Sequence, residues 1–275
     1  MSHISLVTHP VVYVKRKLSH HRYYSGRPIT QPVEKKINGV KFLFDPSLGS
    51  HIKKMYYGSY EFDVKEAMKK YLKPGGTFLD IGANIGYLSA IGAGFVGKTG
   101  VVHSFEPVPS YFQYLAKMAK LNSDYNIVVN NLALGKCCST SRMTVSKPPA
   151  IGLSSMVPDF TPKKCAECVI EIPVMRLDEY IQKNAFHKIS LIKIDVEGFE
   201  IPVLKGASDF FKEYKNCLPP IIVECTPAAY KQLNTSLNEL DELMLPYGYK
   251  SYCLFGQHRV NIKKIERAVD ILFKQ

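Results

Sequence analysis

The chain has 275 residues, 46% of them apolar and 22% charged, the balance of a globular protein long enough to bury a full α/β core. No apolar run approaches the roughly 18 residues that a membrane-spanning helix needs. Seven cysteines, an odd number at Cys137, Cys138, Cys165, Cys168, Cys217, Cys225 and Cys253, do not make a disulfide framework and point to reduced thiols in a cytoplasmic setting.

The formal charge of +12 is concentrated at the front. Up to Lys73 there are 14 Lys or Arg against 5 Asp or Glu, and beyond it 22 against 19. No acid precedes Glu34, and Tyr13 to Tyr24 interleaves aromatics with Lys15, Arg16, Lys17 and Arg22. Residues 1–55 therefore read as a basic extension. It suits RNA, through counterion release and stacking, or an anionic partner or lipid surface. The missing acids also fit a mitochondrial presequence, although Pro10 and the histidines weaken an amphipathic helix there. Pro10, Gly26, Pro28 and Pro32 predict short strands and turns, with no long element before residue 40. Val40 to Phe44 alternates as one strand of a small hairpin.

Residues 56–275 hold the periodic elements. Phe62, Val64, Ala67, Met68 and Leu72 predict a helix from Glu61 to Leu72, closed by Pro74, Gly75 and Gly76. Thr77 to Ile81 is a short strand apolar on both faces, and Gly82 and Gly86 then allow a tight turn and a close backbone approach to a ligand. Asp80 ends that strand, where an open parallel sheet binds its ligands. The next helix starts at Asn84. Val101 to Phe105 is a second strand ending on Glu106, 20 residues beyond Gly86, where an acid meets a ribose hydroxyl pair. A dinucleotide enzyme is the rival, but its fingerprint is G-x-G-x-x-G, and Asn84 stands where the second glycine would lie. Asp80 would also repel pyrophosphate, whereas it attracts an ammonium group. S-adenosylmethionine is the better fit.

A helix capped by Ser110 runs to Leu121, and Ile127 to Val129 is a third strand. Residues 136–168 are polar and proline-punctuated, an insertion that breaks the alternation of strands and helices; Cys165 and Cys168 within it form a lone C-x-x-C with no partner motif for zinc. Val169 to Val174 reads as a strand and Leu177 to Ile181 as a helix start. His103 reads as a satisfied core residue and His187 as part of a surface turn. Ser190 to Ile194 and Ile221 to Glu224 are the fourth and fifth core strands, and a helix covers 236–245. Tyr249 to Leu254 with His258 to Ile262 suggests the closing antiparallel pair of a mostly parallel seven-stranded sheet.

In the strand ending at Asp195, alternation points Lys193 and Asp195 the same way, so the lysine is a paired charge. Asp195, Glu197 and Glu224 then meet at the carboxyl edge beside Asp80 and Glu106. Asp195 is the candidate base for a hydroxyl proton, Lys193 its partner, Glu197 an orienting group and Glu224 the reserve. Three acids also suit a divalent cation. Two hydroxyls held by carboxylates account for the same residues without a metal, and that is the preferred reading.

The blocks LDIGANIGYLSA, VVHSFEPVPSYFQYLAKMAKLN, VVNNLALG, IPVMRLDEYI and LIKIDVEGFEIPVLKGA, in this order and spacing, resemble the FkbM family of S-adenosylmethionine-dependent methyltransferases over most of residues 56–225. The resemblance implies a Rossmann-like class I methyltransferase fold and O-methylation of a hydroxyl on a sugar or other small metabolite. It also implies that Tyr60 and Glu61 close over the methionine end of the cofactor. Asn131 would then lie beside the adenine, and Ser154 and Ser155 near the substrate. Acceptor identity and oligomeric state are not legible.

Overall fold

A computed structural model of the chain describes residues 9–184, 186, 188–255 and 258–275. His187 lies outside the described residues. Helix α1 (Pro10–Ser25) precedes a hairpin of β1 (Val33–Ile37) and β2 (Val40–Phe44), then α2 (His51–Tyr56) and α3 (Phe62–Tyr71). The core continues through β3 (Thr77–Ile81), α4 (Tyr87–Val96), β4 (Val101–Phe105), α5 (Pro109–Leu121) and β5 (Asn126–Asn130). Strands β6 (Ala133–Leu134), β7 (Ser139–Ser146) and β8 (Ala166–Met175) interrupt the alternation. It resumes with α6 (Leu177–Asn184), β9 (Leu191–Ile194), α7 (Glu200–Lys205), α8 (Ser208–Glu213), β10 (Ile221–Cys225), α9 (Pro227–Gln232) and α10 (Leu237–Met244), and ends with β11 (Lys250–Tyr252) and β12 (Val269–Lys274).

Seven strands form one sheet in the order β11-β12-β10-β9-β3-β4-β5. Strand β12 runs antiparallel to both its neighbours, and the other pairings are parallel. This is the class I methyltransferase arrangement. Successive side chains of a strand face opposite ways, so Phe78 and Leu79 enter different apolar layers. Phe78 packs with Val102, Met68 and the hairpin residues Val40, Phe42 and Phe44, while Leu79 packs with Phe105, Ile192, Val203 and Phe211. Burial on both faces is why β3 and β9 are mostly apolar, interrupted by the buried Asp80 and Lys193.

The order of crossovers reverses between β3 and β9, which pair directly with Asp80 opposite Lys193. In an open parallel sheet that reversal opens a crevice at the carboxyl ends. The site therefore has its place before any side chain is considered.

Four sequence expectations need correction. The front segment contains a 16-residue helix, because Pro10 occupies the first helical turn, where a missing N–H costs nothing. Helix α5 starts at Pro109 after Val108, and Ser110 makes no side-chain cap. The partner of β11 in the sheet is β12, from Val269 to Lys274; the expected segment near His258 meets β11, among the described residues, in a short antiparallel bridge in which Cys253 N–H donates to His258 O and Val260 N–H to Ser251 O. Helix α4 starts at Tyr87, after the turn, and not at Asn84. The insertion carries β7, which pairs antiparallel with β8 in a three-stranded sheet, and β8 contains the strand expected at Val169 to Val174. The expected hairpin is present, turned by Asn38 and Gly39 at φ 49° and 88°. Its Val40, Phe42 and Phe44, within the stretch assigned to the extension, are buried in the same layer as β3.

Candidate active site

The crevice is a cleft of about 1030 Å³, counting its open mouth, lined from β3, β4, β9 and the loops after them. Asp80, Gly82, Asn84, Glu106, Ser154, Lys193, Asp195 and Glu197 all contribute to its wall. His51 and Met55 of α2 and Tyr111 of α5 line it too, and sequence periodicity had not singled them out. His51 Nδ1 is buried with no hydrogen-bond partner among the described residues, and the His51 ring meets Tyr60 edge-on. A buried, unpaired ring nitrogen is a fold-level signal with no counterpart in a one-dimensional pattern.

The turn after β3 uses three left-handed residues in five, Gly82, Asn84 and Gly86, at φ 85°, 50° and 84°. A Cβ at Gly82 would sit 1.7 Å from the Asp195 carbonyl oxygen, so the close approach there is to the end of β9. At Gly86 a Cβ would press on Leu115, where α4 meets α5. Both glycines are needed by the backbone and the packing that hold the cleft open. The Asn84 side chain donates to Ile151 O at 2.9 Å and accepts from Ile85 N–H, tying the turn to the insertion.

Glu106 is buried at the tip of β4. Its Oε2 accepts from Asn84 N–H and its Oε1 from Val108 N–H, each at 2.9 Å. A carboxylate has about four lone-pair directions, so two bonds leave room for a diol. Burial pushes Glu106 up to about 7 despite those two N–H donors. Asn131 is exposed and donates to the carbonyls of Glu106 and Pro107, and among the described residues it is Pro107 and Leu132 that supply the apolar wall there.

Asp80 is 1% exposed. Its Oδ2 accepts from Ser89 Oγ at 2.5 Å, and its Oδ1 is buried with no partner among the described residues. Burial raises its carboxyl above the usual range, against the nearby Lys193 ammonium. An orphaned carboxyl oxygen in a cleft is an acceptor for a donor that the chain does not supply.

Lys193 is 1% exposed, and its Nζ meets Asp195 Oδ2 at 2.7 Å. Burial would lower its pKa, but Asp195, Asp80 and Glu61 outweigh burial and raise it. Burial alone would raise Asp195; the Lys193 ammonium prevails, and the Asp195 carboxyl lies below the usual carboxylate range. Its neighbours behave oppositely. The Asp195 charge, then burial, pushes Glu224 up to about 11, and burial, then Asp195, pushes Glu197 up to about 9. The surroundings thus favour the charged form of Asp195 and the neutral forms of Glu197 and Glu224. Glu61, left-handed at φ 46°, is likewise raised by burial.

Oxygens of Asp195, Glu197 and Glu224 lie within 4.8 Å of one another. The other predicted residues are already engaged. Ser154 Oγ accepts from Ser146 N–H at 2.9 Å, and Ser155 Oγ donates to Glu197 O at 2.7 Å, fixing the loop that carries Glu197. Ser154 lines the cleft, whereas Ser155, Asn131, Gly86, Glu61 and Glu224 are not part of its wall. His103 is a satisfied core residue, 2.7 Å from Tyr180 OH.

The family model of the methyltransferase FkbM domain matches residues 80–251. The chain belongs to this FkbM methyltransferase family. Two curated relatives are the 31-O-demethyl-FK506 methyltransferase FkbM of Streptomyces tacrolimicus and the hexuronic acid methyltransferase AglP of Haloferax volcanii. The first is 32% identical over 164 residues, covering 50% of this chain and 62% of that protein. The second is 28% identical over 149 residues, covering 54% and 57%. The chain thus matches about three fifths of the length of each of these two relatives. Among solved structures, the methyltransferase FkbM of Methylobacillus flagellatus aligns with a TM-score of 0.46 at 19% identity, over 82% of this chain and 56% of that one. Aeropyrum pernix fibrillarin with bound S-adenosyl-L-methionine aligns at 0.42 and 10% identity, over 92% and 86%.

Proposed function

We propose that this chain is an S-adenosylmethionine-dependent O-methyltransferase acting on a hydroxyl of a sugar or another small polyhydroxylated metabolite. The observation that carries the reading is geometric: at the edge of the cleft the buried Lys193 ammonium lies 2.7 Å from Asp195 Oδ2, and oxygens of Asp195, Glu197 and Glu224 lie within 4.8 Å of one another. Membership of the FkbM family supports the reaction class, and the relative named as a hexuronic acid methyltransferase supports a sugar-like acceptor.

The residues fit the cofactor. Glu106, with two lone-pair directions free, would take the ribose hydroxyls, and the apolar Pro107 and Leu132 the base. The unpartnered Asp80 Oδ1 would take the ammonium, with Tyr60 and Glu61 closing that end. Bound S-adenosylmethionine would supply an electrophilic methyl group. The remaining work falls to the chain: Asp195 accepts the acceptor's hydroxyl proton as the new bond forms, Glu197 in the cleft wall holds a neighbouring hydroxyl, and Glu224 beside them is the reserve base. Among the three acids Asp195 is the one whose charged form its surroundings favour, through the Lys193 ammonium. Lys193 keeps it so, and by placing an ammonium against Asp195 Oδ2 it supplies the local positive charge that a divalent cation would otherwise bring. Residues 56–275 carry this chemistry, with residues 1–55 as an extension that lends His51 and Met55 to the cleft wall. The alternative of RNA methylation has less behind it, because the cations of α1 do not line the cleft.

Two measurements test the reading. Calorimetry should show S-adenosylhomocysteine binding and NAD not, with Glu106→Ala weakening binding by about 1.5 to 3 kcal/mol through lost charged hydrogen bonds. Radiolabelled methyl transfer should appear on members of a panel of activated sugars and polyols and survive a chelator. Tighter binding of NAD, or labelling of RNA alone, would sink it.

A further inference from the structure

We propose that α1 seats this chain on an anionic bilayer surface. In the described chain seven large hydrophobic side chains are markedly exposed, and four of them belong to this one helix: Val11 at 65%, Val14 at 48%, Leu18 at 50% and Tyr24 at 76%. Residues 11, 14 and 18 are spaced by three and four, so Val11, Val14 and Leu18 form one outward stripe. The opposite face is committed to the body. Arg16 pairs with Asp63 at 3.3 Å, Ser19 is buried, and Lys53 of α2 lies over the Tyr23 ring. The helix is therefore held with its apolar stripe facing water.

Exposed cations border the stripe. Lys17 and Arg22 lie beside it, one on each edge at 100° per residue, and no acid occurs in the first 33 residues of the chain. The stripe is short, since His21 and Ser25 continue its line in the last turns, and a three-residue aliphatic stripe between basic edges suits shallow seating in a headgroup layer rather than deep insertion. The aliphatics enter the acyl boundary while the cations meet lipid phosphates. Nucleic acid would satisfy the cations and leave Val11, Val14 and Leu18 in water. A second copy docked through the same face would bring Lys17 and Arg22 against their own equivalents with no acid on the helix to neutralise them. The bilayer alone matches both halves of the pattern. Tyr57 OH also donates to Arg27 O just beyond the helix, so the docking element is tied to the segment following α2, which lines the cleft.

The test is co-sedimentation of the full chain with vesicles of phosphatidylcholine alone and of phosphatidylcholine mixed with phosphatidylglycerol, at two salt concentrations. The chain should pellet with the anionic vesicles only, and less at high salt. Val14→Ser with Leu18→Ser, and separately Lys17→Gln with Arg22→Gln, should each weaken binding by roughly tenfold or more, with unchanged melting midpoints. All four positions are on the exposed face, so a shifted midpoint is not expected. Wild-type pelleting by the double serine variant would overturn the proposal. So would binding of an RNA oligonucleotide without vesicle pelleting, or a dimer that the double serine variant loses while vesicles are ignored.

Discussion

Lys193 is buried to 1% exposure inside a sheet, and an ammonium there is tolerable only if carboxylates surround it. Asp195, Asp80 and Glu61 do so, which turns a liability into a fixed positive charge beside the candidate base. Asp195→Asn should keep the fold and most cofactor affinity while turnover falls about 100-fold or more, since an amide cannot take the hydroxyl proton. Lys193→Met should act on stability, by up to about 3–5 kcal/mol at pH 8 and less at pH 5, where Asp195 can be protonated. Denaturant titration at both pH values checks the second expectation and single-turnover methyl transfer the first. A fully active Asp195→Asn would move the base to Glu224 or Glu197. This pairing was legible in the sequence, because a lysine two residues before a strand-end acid has no other plausible partner. The roles of Gly82 and Ser155 were not. Each acts on a backbone carbonyl, of Asp195 and of Glu197, brought near by the sheet and the insertion.

At the scale of elements, what periodicity showed best were the strands buried on both faces and the helices between them, because burial leaves an unbroken or 3.6-residue apolar pattern. What it missed were elements stabilised by something else. Helix α1 has only Ser19 fully buried and leans on ion pairs, so no apolar stripe toward the body announces it. The partner of β11 lies some twenty residues downstream, beyond the reach of local pattern. The hairpin is the opposite case, since Phe42 and Phe44 are each 1% exposed and stack on one another at 5.8 Å. Phe42→Ala should therefore cost about 3–5 kcal/mol. Deleting residues 1–25 removes mostly exposed side chains and should lower stability far less, leaving S-adenosylhomocysteine affinity within about threefold, a 1.4 kcal/mol difference being tenfold. Urea titrations of the two variants compare them directly. A deletion that unfolds the chain would make α1 part of the fold.

For the molecule as a whole, the cleft imposes a pH dependence that runs against the usual acid denaturation. Glu197 is pushed up to about 9 and Glu224 to about 11 from an ordinary 4.5, so the folded chain holds protons that the unfolded chain releases. Groups with raised folded pKa values give stability that is fully present below the unfolded value and is lost as pH rises toward the folded one. Opposing groups act outside a middle window. Burial pulls His103 down to about 4 from 6.5 and Lys65 down to about 8 from 10.5, so the former bears on pH below 6.5 and the latter on pH above 8. Between pH 6.5 and 8 the acids are the groups still unequal, and the unliganded chain should lose stability across that range. Glu106 and Glu200, each raised to about 7 by burial, add to the lower half of it. Denaturant midpoints at pH 6.5 and 8 should fall for the wild type and fall less for Glu197→Gln, which holds no titrating proton to lose. A midpoint that rises over this range would mean that the acids at the cleft are ionised in the folded chain, and Asp195 would then have no claim to be the one proton acceptor among them.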